Sequence, residues 1–231
     1  MAATRGPLAE RMTTAARELQ SEAGPEEILG ISARLAVENV KGCDVAGITL
    51  VRRDRIIETP AFTDEAARRA DELQVELGEG PGIDAIREHQ VIHSPDLAAD
   101  ARWAGWGSRT AEETGLGSAL CLRLFTAEDL VGALNLYARS PGSFDEDAVE
   151  DGRALAAHVA VAVVATRRIA QLSVALDSRT SIAAAVGVVM ERFDLSYERA
   201  FAVLGRISSQ SNVKMRDLAA ELLETGSLNA D

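Results

Sequence analysis

Residues 77–106 read LGEGPGIDAIREHQVIHSPDLAADARWAGW, and this stretch decides how the front of the chain folds. Gly78, Gly80 and Gly82 permit positive φ and close backbone approach, and Pro81 among them suits the first turn of a short helix running through Glu88. The free amides of such a start point into whatever cavity the loop borders and suit an anion. Ser94 is held extended by Pro95, so a strand is expected over 91–94, and Asp96 can accept backbone bonds in the turn that follows. Trp103 and Trp106 then stand ready as a lid. Gly80, Pro81, Gly82, His93, Trp103 and Trp106 are therefore the candidate ligand-pocket residues. Histidines near a strand end are more often structural than ligands, which tempers His89 and His93. For the two tryptophans, packing is favoured over stacking on a ligand.

The flanks supply a sheet. Residues 26–40 place Ile28, Ile31, Leu35 and Val40 at helical spacing behind Pro25. Residues 45–51 and 55–61 are β-rich runs joined by Arg52, Arg53 and Asp54, which reads as a hairpin. Thr63 can cap a helix over 64–77, stopped by Gly78. Loop and helix are expected over 97–114, and a second hairpin over 119–125 and 130–138 with its turn at 126–129. All six prolines and thirteen of the eighteen glycines lie in the first 141 residues, so the front is mixed and the rear helical. From Asp145 a helix can run to about Phe193, with a break over 176–180 as the alternative. Leu155, Val159, Ala162, Thr166, Ile169, Ser173 and Leu176 follow the four-three seam of a coiled coil. A helix that merely covers the sheet reads the same way, and both can hold in succession.

The 231 residues are 47% apolar and 26% charged, an ordinary globular balance with room for two domains. A net charge of −12, from 24 basic and 36 acidic residues, repels nucleic-acid phosphates at long range, so any nucleic-acid contact has to be local. The longest apolar run, 154–165, is interrupted by His158 and falls short of the roughly 18 residues of a membrane span, so no span is expected. Charged residues among the first twenty argue against a signal peptide, and a cytoplasmic protein is expected. Cys43 and Cys121 stand 78 positions apart, which supports neither a disulfide framework nor a metal site. No cofactor, metal or catalytic residues are expected.

Residues 177–226 divide into three helical pieces, 177–193, 196–207 and 214–223, whose apolar stripes can share one small core. Phe201 is placed in that core rather than as a stacking platform. Ser196 and Asn212 suit N-caps. The connector Ser208, Ser209, Gln210, Ser211, Asn212 offers short donors and acceptors to unpaired bases, and Lys214 and Arg216 follow it at a helix start. Arg206, Arg179 and Arg192 add cations nearby. From Leu176 onward six basic residues face eight acidic ones, so binding would rest on a few placed contacts.

With its order of strands and helices, the 77–106 stretch resembles GAF domains over residues 25–168. That resemblance implies an α+β fold, a central antiparallel sheet with helices on one side, and a small-molecule pocket between the sheet and residues 77–106. Many members read GEGPC where this chain has Gly82, which puts a redox role there in doubt. The strings IAAAVGVVMERF, AFAVLGRISSQSN and KMRDLAAELL resemble the ANTAR domain, a three-helix RNA-binding module of bacterial antiterminators, over residues 177–226. Ala185, Gly187, Met190, Ala200, Phe201, Leu204, Ser208, Asn212, Lys214 and Ala219 carry its register, while Val186 stands where the family often has Lys. The implied organisation is a helical extension over 1–24, the sensor over 25–168, a coiled-coil linker over 169–176, the RNA module over 177–226 and a tail over 227–231. The implied partners are RNA stem-loops in nascent transcripts, a second copy of the chain, and an unknown small-molecule or protein signal, with no membrane. Beside that resemblance, the chemistry of the residues makes Arg206, Ser208, Ser209, Gln210, Asn212, Lys214 and Arg216 the candidate RNA contacts, with Arg179 and Arg192 as substitutes for the missing Lys. Two rival readings stand beside it: an adaptor whose rear helices bind a protein, and a thiol redox enzyme using Cys43 and Cys121.

Overall fold

The computed structural model describes residues 7–20, 24–52, 55–87, 91–127 and 130–227. Two compact units are present, Met1–Arg167 and Arg168–Asp231. The hairpin-turn residues Arg53 and Asp54, His89, and positions 128–129 lie outside the described residues.

In the first unit, α1 (Leu8–Leu19) and α2 (Pro25–Asn39) precede a hairpin of β1 (Val45–Arg52) and β2 (Arg55–Phe62). Next come α3 (Glu65–Leu77), α4 (Pro81–Arg87), β3 (Val91–Ser94), a 3-10 turn at Ala101–Trp103 and α5 (Ala104–Thr114). A second hairpin, β4 (Ser118–Phe125) and β5 (Leu130–Ala138), leads into α6 (Glu146–Phe193). The strands form one antiparallel sheet in the order β2-β1-β5-β4-β3.

Period-two alternation on β4 and β5 sends apolar side chains to both faces. Leu120, Leu122, Leu124, Leu134 and Leu136 pack with Ile28 and Leu35 of α2, Met12 and Ala15 of α1, and Leu155 and Val159 of α6. Ala119, Cys121 and Tyr137 pack on the other face with Ala67, Ala70 and Leu73 of α3, Ala85 of α4 and Trp106 of α5. Helices therefore cover both sides of the sheet, not one, because β4 and β5 leave no polar face for water. Where β5 passes β1, Gly132 has φ 155° and a Cβ there would collide with the Thr49 carbonyl, so only glycine fits.

Several local expectations change. Asp64, not Thr63, caps α3: its side chain accepts from the Ala66 amide, while the Thr63 hydroxyl accepts from the Ala46 amide. No break occurs at 176–180, where α6 runs on. Leu155 and Val159 are spent in the sheet core and cannot serve a seam, whereas Ile169, Leu172 and Leu176 are exposed. Against the expectation from the longest apolar run, α6 is long and apolar enough, by length and composition, to cross a membrane.

The second unit packs Ala185, Val186 and Val189 of α6 against Ala200 and Leu204 of α7 (Tyr197–Ser211) and Leu218, Ala219 and Leu222 of α8 (Met215–Thr225). Asp194 at φ 50° ends α6, with the Leu195 amide donating to the Met190 carbonyl at 3.1 Å. Ser196 caps α7, accepting from the Arg199 amide. Ser208 to Ser211, expected as connector, form the last turn of α7. Asn212 closes that helix in the left-handed region at φ 54° instead of capping α8.

One charged contact ties three helices of the first unit. Arg11 on α1 donates to both carboxylate oxygens of Asp151 on α6, at 2.9 and 2.6 Å, and to the Asn39 carbonyl at the end of α2. Asp151 is buried, which shields the pair from salt. Arg11→Ala, leaving a buried carboxylate alone, should lower the unfolding free energy by about 1–3 kcal/mol in urea titrations, and added salt should not abolish the difference.

Candidate functional site

The first candidate site is assembled from the turn between α3 and α4. Gly78 ends α3 at φ 69°, and Gly80 at φ 143° turns the chain so that Pro81 opens α4. The turn lies over the sheet face carrying Tyr137 and Cys121, and the space beneath it is filled by the protein itself. Gln74 reaches in from α3: its Oε1 accepts from the Gly82 amide at 2.7 Å, and its Nε2 donates to the Tyr137 hydroxyl at 3.0 Å. A Cβ on Gly82 would stand 2.7 Å from Asn135 Oδ1 and 3.0 Å from Gln74 Oε1, so a cysteine here, as in GEGPC sequences, would force those side chains to shift. The cleft among Thr49, Asp71, Gln74, Gly82 and Ile83 holds no water-sized void.

At its centre is a carboxylate with no cation beside it among the described residues. Asp71 accepts from the Tyr137 hydroxyl at 2.6 Å, Asn135 Nδ2 at 3.0 Å and the Thr59 hydroxyl at 3.0 Å, with Thr49 at 3.4 Å. Burial pushes its pKa up to about 6, and the surrounding donors only partly offset that desolvation. Neither composition nor spacing marks Asp71, Gln74 or Asn135, because each looks like an ordinary polar residue of an amphipathic helix or strand. Their burial is visible only once α3 lies on β1 and β5.

The structure brings Gly80, Pro81, Gly82, Trp103 and Trp106 to this face and leaves His93 elsewhere. Trp106 is fully buried and donates through Nε1 to the Ala70 carbonyl. Trp103 donates to Asp84 Oδ2 at 2.8 Å, lies edge-on to Trp106, and carries the Arg102 guanidinium over its ring. His93 pairs in register with Leu120 and meets Phe144 edge-on, which puts it on the sheet face toward α6. Burial, then the nearby Arg102, hold its pKa below the ordinary imidazole value. Cys43 and Cys121 belong to cores on opposite faces of the sheet, and burial keeps the Cys121 thiol far from ionisation. Among the described residues no group of His, Cys, Asp and Glu is placed to hold a metal.

The second candidate site lies on α7 and α8. Residues 199–216 contain Arg199, Arg206, Lys214 and Arg216 and no Asp or Glu, a local excess of cations that the −2 sum over the rear conceals. Arg199, Arg206 and Gln210, seven and four apart, share one exposed stripe of α7. The Ser208 hydroxyl donates to the Val213 carbonyl and the Ser211 hydroxyl to the Ile207 carbonyl, so both brace the corner. Ser209, Gln210 and Asn212 are exposed, and among the described residues no hydrogen bond engages their side chains. Arg216 pairs with Asp217 at 3.1 Å, and Arg192 donates to the Gly226 carbonyl at the end of α8. Arg179 is exposed on α6. Phe201 is not core: it is 42% exposed and stacked on Tyr197, with centroids 6.2 Å apart. Its place in the apolar stripe gave no sign of this, since Ala200 and Leu204 already fill the core. Val186 is wholly buried, so the position the family often gives to Lys serves packing in this chain.

Residues 22–164 match the family model of the GAF domain, and residues 170–223 match that of the ANTAR domain. Among solved structures, the GAF domain of a phosphoenolpyruvate-protein phosphotransferase (ptsP) from Coxiella burnetii is similar at a TM-score of 0.55 and 15% identity, covering 71% of this chain and 96% of that one. The reduced form of fRMsr of Staphylococcus aureus gives 0.54 and 16%, covering 71% and 99%. The free methionine-R-sulfoxide reductase from Neisseria meningitidis in complex with its substrate gives 0.53 and 16%, covering 73% and 99%. At these identities the likeness is one of fold. No curated protein matches the chain.

The Asp71 cluster sets a pH dependence of known sign. Its folded pKa of about 6 lies above the ordinary 3.8, so the stability it contributes is complete below about pH 4 and is lost as pH rises through about 6. The difference in unfolding free energy between wild type and Asp71→Asn should shift across that window against the wild type, by on the order of 3 kcal/mol at most. A difference that stays constant from pH 4 to 7 would show that Asp71 does not titrate there.

Proposed function

The chain belongs to the GAF domain family, with an ANTAR domain behind the sensor, and from that premise we propose that it is a signal-responsive RNA-binding regulator that promotes transcription antitermination. The ANTAR domain is an RNA-binding module, and both domains are regulatory rather than catalytic. The observation that carries the RNA reading is the carboxylate-free run at 199–216, exposed on α7 and at the start of α8 of a chain whose net charge is −12. Arg199 and Arg206 supply phosphate contacts, Ser209, Gln210 and Asn212 read unpaired base edges, and Lys214 reaches phosphate from the first turn of α8. The stacked Tyr197 and Phe201 offer a face on which a splayed base can lie. Ser208 braces the corner through the Val213 carbonyl, and Arg192 is engaged at the far end of α8 by the Gly226 carbonyl. Arg216, shared with Asp217, is the weaker cation.

The target is a pair of RNA stem-loops, one for each copy of a homodimer, whose stabilisation prevents a terminator hairpin. Ile169, Leu172 and Leu176, each about two-thirds exposed at three-four spacing, are the seam through which two copies pair. The seam also gives the apolar stretch of α6 a place away from water that does not require a membrane, in keeping with a cytoplasmic protein. The signal acts at the GAF unit, as a ligand that displaces Gln74 or as a partner protein.

Two measurements test this. The dimer should bind an RNA with two stem-loops at least 100-fold more tightly than one with a single stem-loop, and Leu172→Glu should erase that gain by separating the copies. Arg206→Ala and Lys214→Ala should each weaken binding by about 1 kcal/mol in filter-binding titrations at fixed salt and flatten its salt dependence. No measurable binding of paired stem-loops by the dimer would favour a protein-binding adaptor.

A further inference from the structure

Beyond its pairing with β3, which ends at Val91 and Leu122, β4 continues through Arg123 to Phe125 and leaves a cleft against the early turns of α6. The cleft measures about 210 Å³, with a floor of Val91, Leu122 and Ala156. It is distinct from the Asp71 cluster and shares no residue with it.

Two arginines line the cleft. Arg11, Arg34, Arg69 and Arg102 of the same unit each hold a carboxylate. Arg123 and Arg153, both lining the cleft, hold none among the described residues. Arg123 Nε is buried without a hydrogen-bond partner, and its guanidinium lies 5.5 Å from the centroid of the Phe125 ring. A buried donor left unpaired is unfavourable, and two guanidinium groups around one apolar cleft repel each other unless an anion joins them. Phe125, 41% exposed, adds an apolar wall at the rim.

We propose that this cleft is a binding site for a small organic anion, a carboxylate or phosphomonoester carried on a compact aromatic or branched apolar body. The body lies over Val91, Leu122 and Ala156 beside Phe125, and the anionic head takes the guanidinium groups of Arg123 and Arg153 where they line the cleft. The apolar floor rejects inorganic anions, which gain nothing there, and the arginines reject neutral analogues of the same shape.

The experiment titrates the full chain calorimetrically with phenyl phosphate, inorganic phosphate and benzyl alcohol, following the Arg123 Nε–H resonance by NMR. Phenyl phosphate is expected to bind saturably, at least about tenfold more tightly than either control, and to move that resonance. Arg153→Gln removes an exposed side chain, and Ala157→Phe fills the cleft while keeping both arginines; each should weaken phenyl phosphate binding by about tenfold or more without lowering the melting temperature of the free protein. Equal binding of inorganic phosphate, equal binding of benzyl alcohol, an unmoved Arg123 resonance, indifference to Arg153→Gln, or no saturation by about 10 mM would each overturn the proposal.

Discussion

The hydrogen bond from Tyr137 to Asp71 joins the middle of the sheet to α3, and most of what lies on that face depends on it. β5 runs between β1 and β4, so Tyr137 projects from the centre of the sheet. Asp71 is buried with no compensating cation among the described residues, and in so dry a place a carboxylate is tolerable only when nearly every lone pair is taken. Tyr137, Asn135, Thr49 and Thr59 take them, from three different strands. A cluster with that many fixed donors admits one position for α3. Gly47 is part of the same constraint, because a Cβ there would press on Asp71 Oδ2.

With α3 fixed, the place of the turn to α4 follows. Gln74, one turn after Asp71, reaches Gly82 and Tyr137 together, so the glutamine that closes the pocket also engages the Gly82 amide and the Tyr137 hydroxyl, while Asn135 Oδ1 stays buried without a hydrogen-bond partner among the described residues. Withdrawing Gln74 would leave a buried amide and a hydroxyl in need of new partners. A ligand that opens this pocket therefore has to carry both an acceptor for the Gly82 amide and a group for Tyr137, which is a chemical filter set by the protein's own plug. The absence of a side chain at position 82 is then matched to the packing of Gln74 and Asn135 in this chain.

The sequence was readable wherever backbone rules act locally. Glycines 78, 80 and 82 with Pro81 located the α3–α4 turn, Ser94 before Pro95 located β3, and alternation located the two hairpins, because each signal lives within a few residues. What escaped was set by neighbours distant in the chain. That helices cover both faces follows from the near-continuous burial along β4 and β5, which a reading of one packed face misses. His93 belonged by sequence to the pocket segment, yet one step of strand alternation sends it to the opposite face. In the rear, the Ser/Gln/Asn run looked like a connector by composition. Back-bonding of Ser211 to Ile207 and the left-handed Asn212 carry α7 through it.

Charge shows the same tension between sum and arrangement. A total of −12 argues against nucleic acid only as long as charges act at distances beyond the screening length, about 8 Å in physiological salt. Inside that distance the arrangement decides, and 199–216 presents four cations with carboxylates only flanking its two ends, Glu198 and Asp217. In the function proposed above, such a site gains little from long-range capture, and each hairpin is held weakly. Usable affinity in that proposed function comes from holding two sites together, which makes the exposed Ile169, Leu172 and Leu176 as much a part of the proposal as Arg206 or Lys214. An acidic background with a small basic corner disfavours nonspecific RNA and leaves the gain to targets that engage both copies at once. On this reading the net negative charge is what lets a weak corner remain selective.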